Sequence, residues 1–85
     1  MKNNKTFLEF KISYLEATTS ILSIEELILI KLRSFGYEIR HFIQMSTELY
    51  EDLIKQAGIE KIEVSFLEDE QNYRIKVFNK VQKDI

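Results

Sequence analysis

Three segments of this chain alternate apolar and polar side chains with a strict period of two. In the first, Leu8, Phe10, Ile12 and Tyr14 point one way while Glu9, Lys11 and Ser13 point the other. In the second, Ile62, Val64 and Phe66 alternate with Lys61, Glu63 and Ser65. In the third, Tyr73, Ile75 and Val77 alternate with Arg74 and Lys76. Successive side chains of a strand leave opposite faces, so each segment predicts a strand with one buried and one wet face. Residues 60–80 read as a hairpin, with the polar run Glu68-Asp69-Glu70-Gln71-Asn72 between the last two as its loop. On the wet face, Glu63 is expected to pair with Arg74 or Lys76 across the strands.

Between these strands the spacing changes. Ser46 is a good helix N-cap, Glu48 falls in the first turn, and Leu49, Tyr50, Leu53, Ile54 and Ala57 form one apolar stripe. Gly58 follows as a helix stop, so residues 46–57 predict a helix. Residues 23–35 carry two messages. Ser23 and Glu26 fit a capping box, acids open the segment, Arg33 closes it and Gly36 follows, which favours a helix. The run Leu27-Ile28-Leu29-Ile30-Lys31-Leu32-Arg33 also reads as a strand. Residues 37–45 read as a strand inside the sheet, with Tyr37, Ile39, His41, Ile43 and Met45 on one face and Phe42 on the other. The small polar stretch Ala17-Thr18-Thr19-Ser20 ends the first strand.

The expected fold is α+β, or a small α/β: a three- to four-stranded mixed sheet with two helices packed on one face. The order is β-α-β-α-β-β, or β-β-β-α-β-β if the second element is a strand. With 85 residues the chain makes one domain, with residues 1–5 and 82–85 fraying at its ends. An apolar fraction of 45% supplies a core and argues against disorder. No cysteine is present, so no disulfide reinforces so small a fold, and self-association is the open route to extra stability. The cysteine-free composition suits the cytoplasm. Lys2 and Lys5 open the chain, but Glu9 and Lys11 interrupt the apolar residues after them, so no signal peptide is read there. The longest apolar run, Leu27–Ile30, is far too short to cross a bilayer.

Catalytic chemistry needs a constellation, and none is legible. His41 is the only histidine and shares a face with Ile39 and Ile43, so it reads as a packed or interface residue rather than a base. Tyr14, Tyr37, Tyr50 and Tyr73 read as aromatics at the edge of the core. Thr18, Thr19 and Ser20 have hydroxyls but no base to activate them. Two isolated glycines cannot form a phosphate loop. Glu25/Glu26 and Glu51/Asp52 are neighbours on helices, where adjacent residues do not face each other. The chain is therefore read as non-enzymatic, with no cofactor and no metal.

Surface charge says more. Residues 48–70 hold eight acids against two bases, whereas residues 71–85 hold four bases against one acid. A sequence pI near 5.4 argues against nucleic-acid binding. The expected function is a small protein-binding module working through an acidic and apolar surface. Its candidate residues are Glu51, Asp52, Glu60, Glu63, Glu68, Asp69 and Glu70, with Leu29 and Ile30 lying toward the polar side of the second element. The alternatives are a structural or regulatory homo-oligomer, with a homodimer through residues 24–35, and a weak nucleic-acid binder through Arg74, Lys76, Lys80 and Lys83. The proline-free, Ile/Lys/Glu-rich composition resembles that of short proteins from AT-rich bacteria and their phages. That resemblance implies a mobile-element protein that modulates a host protein.

Overall fold

A computed structural model of the chain describes residues 7–42 and 45–81. Six elements succeed one another: β1 (Phe7–Ser13), α1 (Tyr14–Thr19), α2 (Ile24–Ser34), α3 (Thr47–Gln56), β2 (Ile59–Leu67) and β3 (Asn72–Asn79). The strands form one sheet in the order β1-β3-β2, with both pairings antiparallel. The fold class is α+β, as the alternation implied, and the sheet is antiparallel throughout rather than mixed. Residues 1–5 and 82–85, expected to fray, lie outside the described residues.

Register follows from the apolar pattern. Phe10 sits opposite Ile75 and Ile12 opposite Tyr73, while Val64 sits opposite Ile75 and Ile62 opposite Val77. A slip of one residue would turn every apolar side chain of a strand to water. Ile12, Ile75 and Val77 share a buried core with Leu27, Ile28, Leu29 and Leu32 of α2 and with Leu53 and Ile54 of α3. The helices therefore lie on one face of the sheet.

The other face is charged. Arg74 Nε lies 3.3 Å from Glu9 Oε2 and Lys61 Nζ 3.2 Å from Glu63 Oε2. Register does set Glu63 opposite Lys76. The close ion pair of Glu63, however, is with Lys61 on its own strand, and that of Arg74 is with β1. Phe7 and Phe78 meet on this face with ring centroids 5.3 Å apart, and Lys61 Nζ stands 5.0 Å from the Phe78 centroid.

Residues 24–34 resolve as helix because both ends are fastened. The Glu26 amide donates to Ser23 Oγ at 3.2 Å and the Ser23 amide to Glu26 Oε1 at 2.8 Å, a reciprocal capping box. At the other end Gly36 adopts φ +100°, its amide donates to the Arg33 carbonyl at 3.0 Å, and the Tyr37 amide donates to the Leu32 carbonyl at 3.1 Å. That pair of bonds closes the last turn and needs the left-handed conformation that glycine takes without a Cβ penalty. In α3, Ser46 Oγ accepts the Leu49 amide at 3.1 Å, and Gly58 ends the helix at φ +84°.

Two segments differ from the expectation. The polar stretch after β1 is a short helix: Ser13 Oγ caps it by accepting the Glu16 amide at 3.1 Å, and the Thr18 and Thr19 hydroxyls donate back to the carbonyls of Tyr14 and Leu15. Residues 37–42, expected as part of a strand, carry neither strand nor helix, and Ile43 lies outside the described residues. The reason is visible in the hydrogen bonds. Arg33 Nε donates to the Ile39 carbonyl and Nη2 to the Arg40 carbonyl, both at 2.9 Å. A guanidinium on α2 thus satisfies backbone acceptors that a neighbouring strand would otherwise have met.

Candidate functional site

The acidic residues singled out from sequence do not form one patch. Glu51 and Asp52 lie exposed on α3, where Asp52 Oδ2 is 3.7 Å from Arg40 Nη2. Glu51 and Glu60 line a shallow groove of about 500 Å³ with Glu25, Tyr50 and Lys61. Glu68, Asp69 and Glu70 sit in the turn after β2. A strand rises about 3.3 Å per residue, which puts Glu60 and Glu68 roughly 26 Å apart at opposite ends of β2. Glu63 lies between them on the charged face.

The turn acids differ among themselves. Lys11 Nζ donates to Glu70 Oε1 at 2.6 Å, and the Asn72 side-chain Nδ2 donates to the same oxygen at 3.4 Å. Hydrogen bonding to Lys11 and Asn72 and the nearby positive charge hold the Glu70 carboxyl below its ordinary pKa. Glu68 and Asp69 have no ion-pair partner among the described residues, and neither has Glu60.

On α2, Leu29 is wholly buried in the core and offers no surface, contrary to the expectation that it lies on the polar side. Ile30 is the exposed neighbour. His41, expected to face inward, is exposed in the irregular segment, beside a shallow hollow lined by Arg33, Glu38, Arg40 and Gln56. Among the described residues no group of three or more His, Asp or Glu is placed to hold a metal. No described helix is long and apolar enough to cross a membrane.

A hollow of about 460 Å³ opens where α2 and α3 begin, lined by Ser23, Glu25, Glu26, Met45, Ser46 and Tyr50. Both serine oxygens there are engaged by their own helix amides. Burial, and to a lesser degree the Glu25 charge, push the Tyr50 phenol up to about 12. A phenol held so firmly in its neutral form does not serve as a base near neutral pH.

The surface that sequence reasoning missed lies at the far end of the sheet. Val64 and Phe66 point to the helix side of β2 yet remain 46% and 39% exposed. Phe66 contacts Tyr73 at 5.1 Å and Tyr14 at 5.6 Å between ring centroids, and Tyr14 stacks on Tyr73 at 6.3 Å. The Tyr14 amide donates to the Gln71 carbonyl at 2.9 Å, tying this aromatic group to the acidic turn. Leu15 is exposed just beyond it. Alternation marks which face of β2 is apolar, but it does not say how far the helices reach along that face.

No family model matches the chain, and neither a curated protein nor a solved structure matches it.

Proposed function

We propose that the chain is a non-enzymatic protein-binding module. Its working surface is the uncovered end of the sheet: Val64, Phe66, Tyr14 and Tyr73, rimmed by Glu68 and Asp69. The observation that carries this reading is the exposure of Phe66 on the core side of its strand. Isolated exposed apolar residues are ordinary, but a contiguous aromatic and aliphatic group beside polar residues marks interaction surfaces. Aromatic rings supply large contact area at low entropic cost, and unpaired acids at the rim favour a basic partner.

The other readings have less support. Self-association through α2 loses Leu29 to the core and keeps only Ile30 and Phe35 exposed. Nucleic-acid binding through β3 has to contend with Glu9 beside Arg74 and with Glu63 opposite Lys76. The composition adds the mobile-element setting, with a host protein as the target, and a cysteine-free chain accords with the cytoplasm.

Affinity capture from lysate of the source cells or their host, at physiological salt, tests the proposal with the wild-type chain beside Phe66→Asp. The expected result is one discrete protein retained by the wild type and lost with the variant. Recovery of no protein, or equal recovery by a folded Phe66→Asp, removes the support for this surface.

A further inference from the structure

We infer that the partner binds by adding an extended, basic, alternately apolar segment to the free edge of β2 as a fourth strand. This rests on the protein-binding reading above and names the mode and chemistry of that contact. With the order β1-β3-β2, β1 and β2 are both edges. They are not equivalent. On β1 the core-side residues Leu8, Phe10 and Ile12 are packed into or against the core, and Phe10 meets Phe35 from the end of α2 at 5.2 Å. On β2 Ile62 packs against the core, but the core-side Val64 and Phe66 stay partly exposed, Phe66 against only Tyr14 and Tyr73 among the aromatic contacts of the described residues. The register of β2 shifts between Ile59 and Lys61, a bulge of the kind that blunts an edge. From Ile62 to Leu67 the strand is regular and holds neither proline nor glycine. Among the described residues no strand pairs with this edge of β2, so its backbone groups can accept a strand about 4.8 Å away, whose side chains on one face would lie beside Val64 and Phe66.

Charge decides which strand. The stretch from Ile59 to Gln71 carries five acids and one base. Lys61 and Lys11 engage Glu63 and Glu70, leaving Glu60, Glu68 and Asp69 without ion-pair partners among the described residues. A second copy would lay one such acidic edge against another, and like charges across strands oppose pairing. A segment with Val, Ile or aromatic residues at alternate positions and Lys or Arg between them meets both requirements.

The test is an NMR titration of the full chain with four synthetic, end-blocked octapeptides, the N-methylated one counted once for each register. One alternates Lys and Val, one alternates Glu and Val, and one is the Lys-Val peptide N-methylated at alternate residues, prepared in both registers. The Lys-Val peptide is expected to shift the amides of residues 62–67. The Glu-Val peptide is expected to bind at least about tenfold more weakly, and one N-methylated register to lose binding to a similar degree because its edge donors are gone. Charge reversal of both Glu68 and Asp69 to Lys is expected to weaken the Lys-Val peptide roughly five- to tenfold. Equal binding by both N-methylated peptides overturns strand addition. If that binding still requires Phe66, the surface proposed above stands without it. Absence of Lys-Val binding, shifts confined to α2 and α3, or concentration-dependent broadening of residues 62–67 without peptide also overturns the inference, the last by making a second copy the occupant.

Discussion

The Tyr14 ring stands edge-on to Phe66 with centroids 5.6 Å apart, although Tyr14 opens the first helix and Phe66 nears the end of the second strand. The contact joins the start of α1 to β2 beside Tyr73. Aromatic contacts of this kind contribute about 0.5–1.5 kcal/mol each. Phe66→Ala is therefore expected to cost about 1–2 kcal/mol, since the ring is already part exposed. Leu32→Ala, at a fully buried position, is expected to cost about 2–5 kcal/mol. Urea unfolding midpoints compare the two directly. An equal loss at both sites would place Phe66 in the core and remove it from the binding surface.

Leu29 and Ile30 are neighbours on α2 with opposite fates. Leu29→Ala opens a cavity in a packed core and is expected to destabilise by about 2–5 kcal/mol. Ile30→Ser touches the exposed side and is expected to stay within about 1 kcal/mol. Thermal unfolding with light scattering checks both stability and association. A large loss of stability for Ile30→Ser, accompanied by a lower oligomeric state, would restore α2 as an interface between copies.

How much of this was legible in the sequence depends on how local the cause is. The capping box at Ser23, the stops at Gly36 and Gly58 and the alternation of three strands all act within a few residues, and each lies where the pattern put it, save that Tyr14 leaves the first strand to open α1. Residues 37–42 show where pattern fails. Tyr37, Ile39 and His41 alternate like a strand, but Arg33 from the preceding helix takes the carbonyls of Ile39 and Arg40. The short helix at Tyr14–Thr19 was hidden because Tyr14 continues the period of two and the small polar residues after it read as the loop that ends the strand, whereas here the threonine hydroxyls bond back to carbonyls one turn earlier. The exposure of Phe66 depends on where α1 and α3 end in space, which no local spacing encodes.

Arg33 is the residue that holds the irregular segment, by two charged hydrogen bonds and by lying 5.7 Å from the Phe42 ring centroid. A planar fork is required to reach both carbonyls, and lysine cannot reproduce it. Arg33→Lys is expected to cost about 1.5–3 kcal/mol, the range for hydrogen bonds to a charged group. It is also expected to speed proteolytic cleavage within residues 37–42 more than elsewhere. Hydrogen exchange or limited proteolysis reads this out. Unchanged protection of that segment in Arg33→Lys would show that Ile39, buried in the core, anchors it unaided.

Tyr50 gives stability a pH dependence with a definite sign. Its phenol is raised from 10.0 to about 12 in the folded chain, first by burial and then by the Glu25 charge. An unfolded chain therefore releases this proton at lower pH than the folded one. The group's contribution is complete below pH 10 and is lost as pH rises from about 10 through about 12. Phenylalanine at this position has no proton to lose. Tyr50→Phe should match the wild type near neutral pH and fall less steeply in stability above pH 10. Denaturant midpoints for both chains at about pH 7 and about pH 11 make the comparison, with the ionisations of the other tyrosines common to both. Parallel alkaline decline of the two would mean that Tyr50 ionises alike in the folded and unfolded chain, and that the hollow between α2 and α3 is wetter than its lining implies.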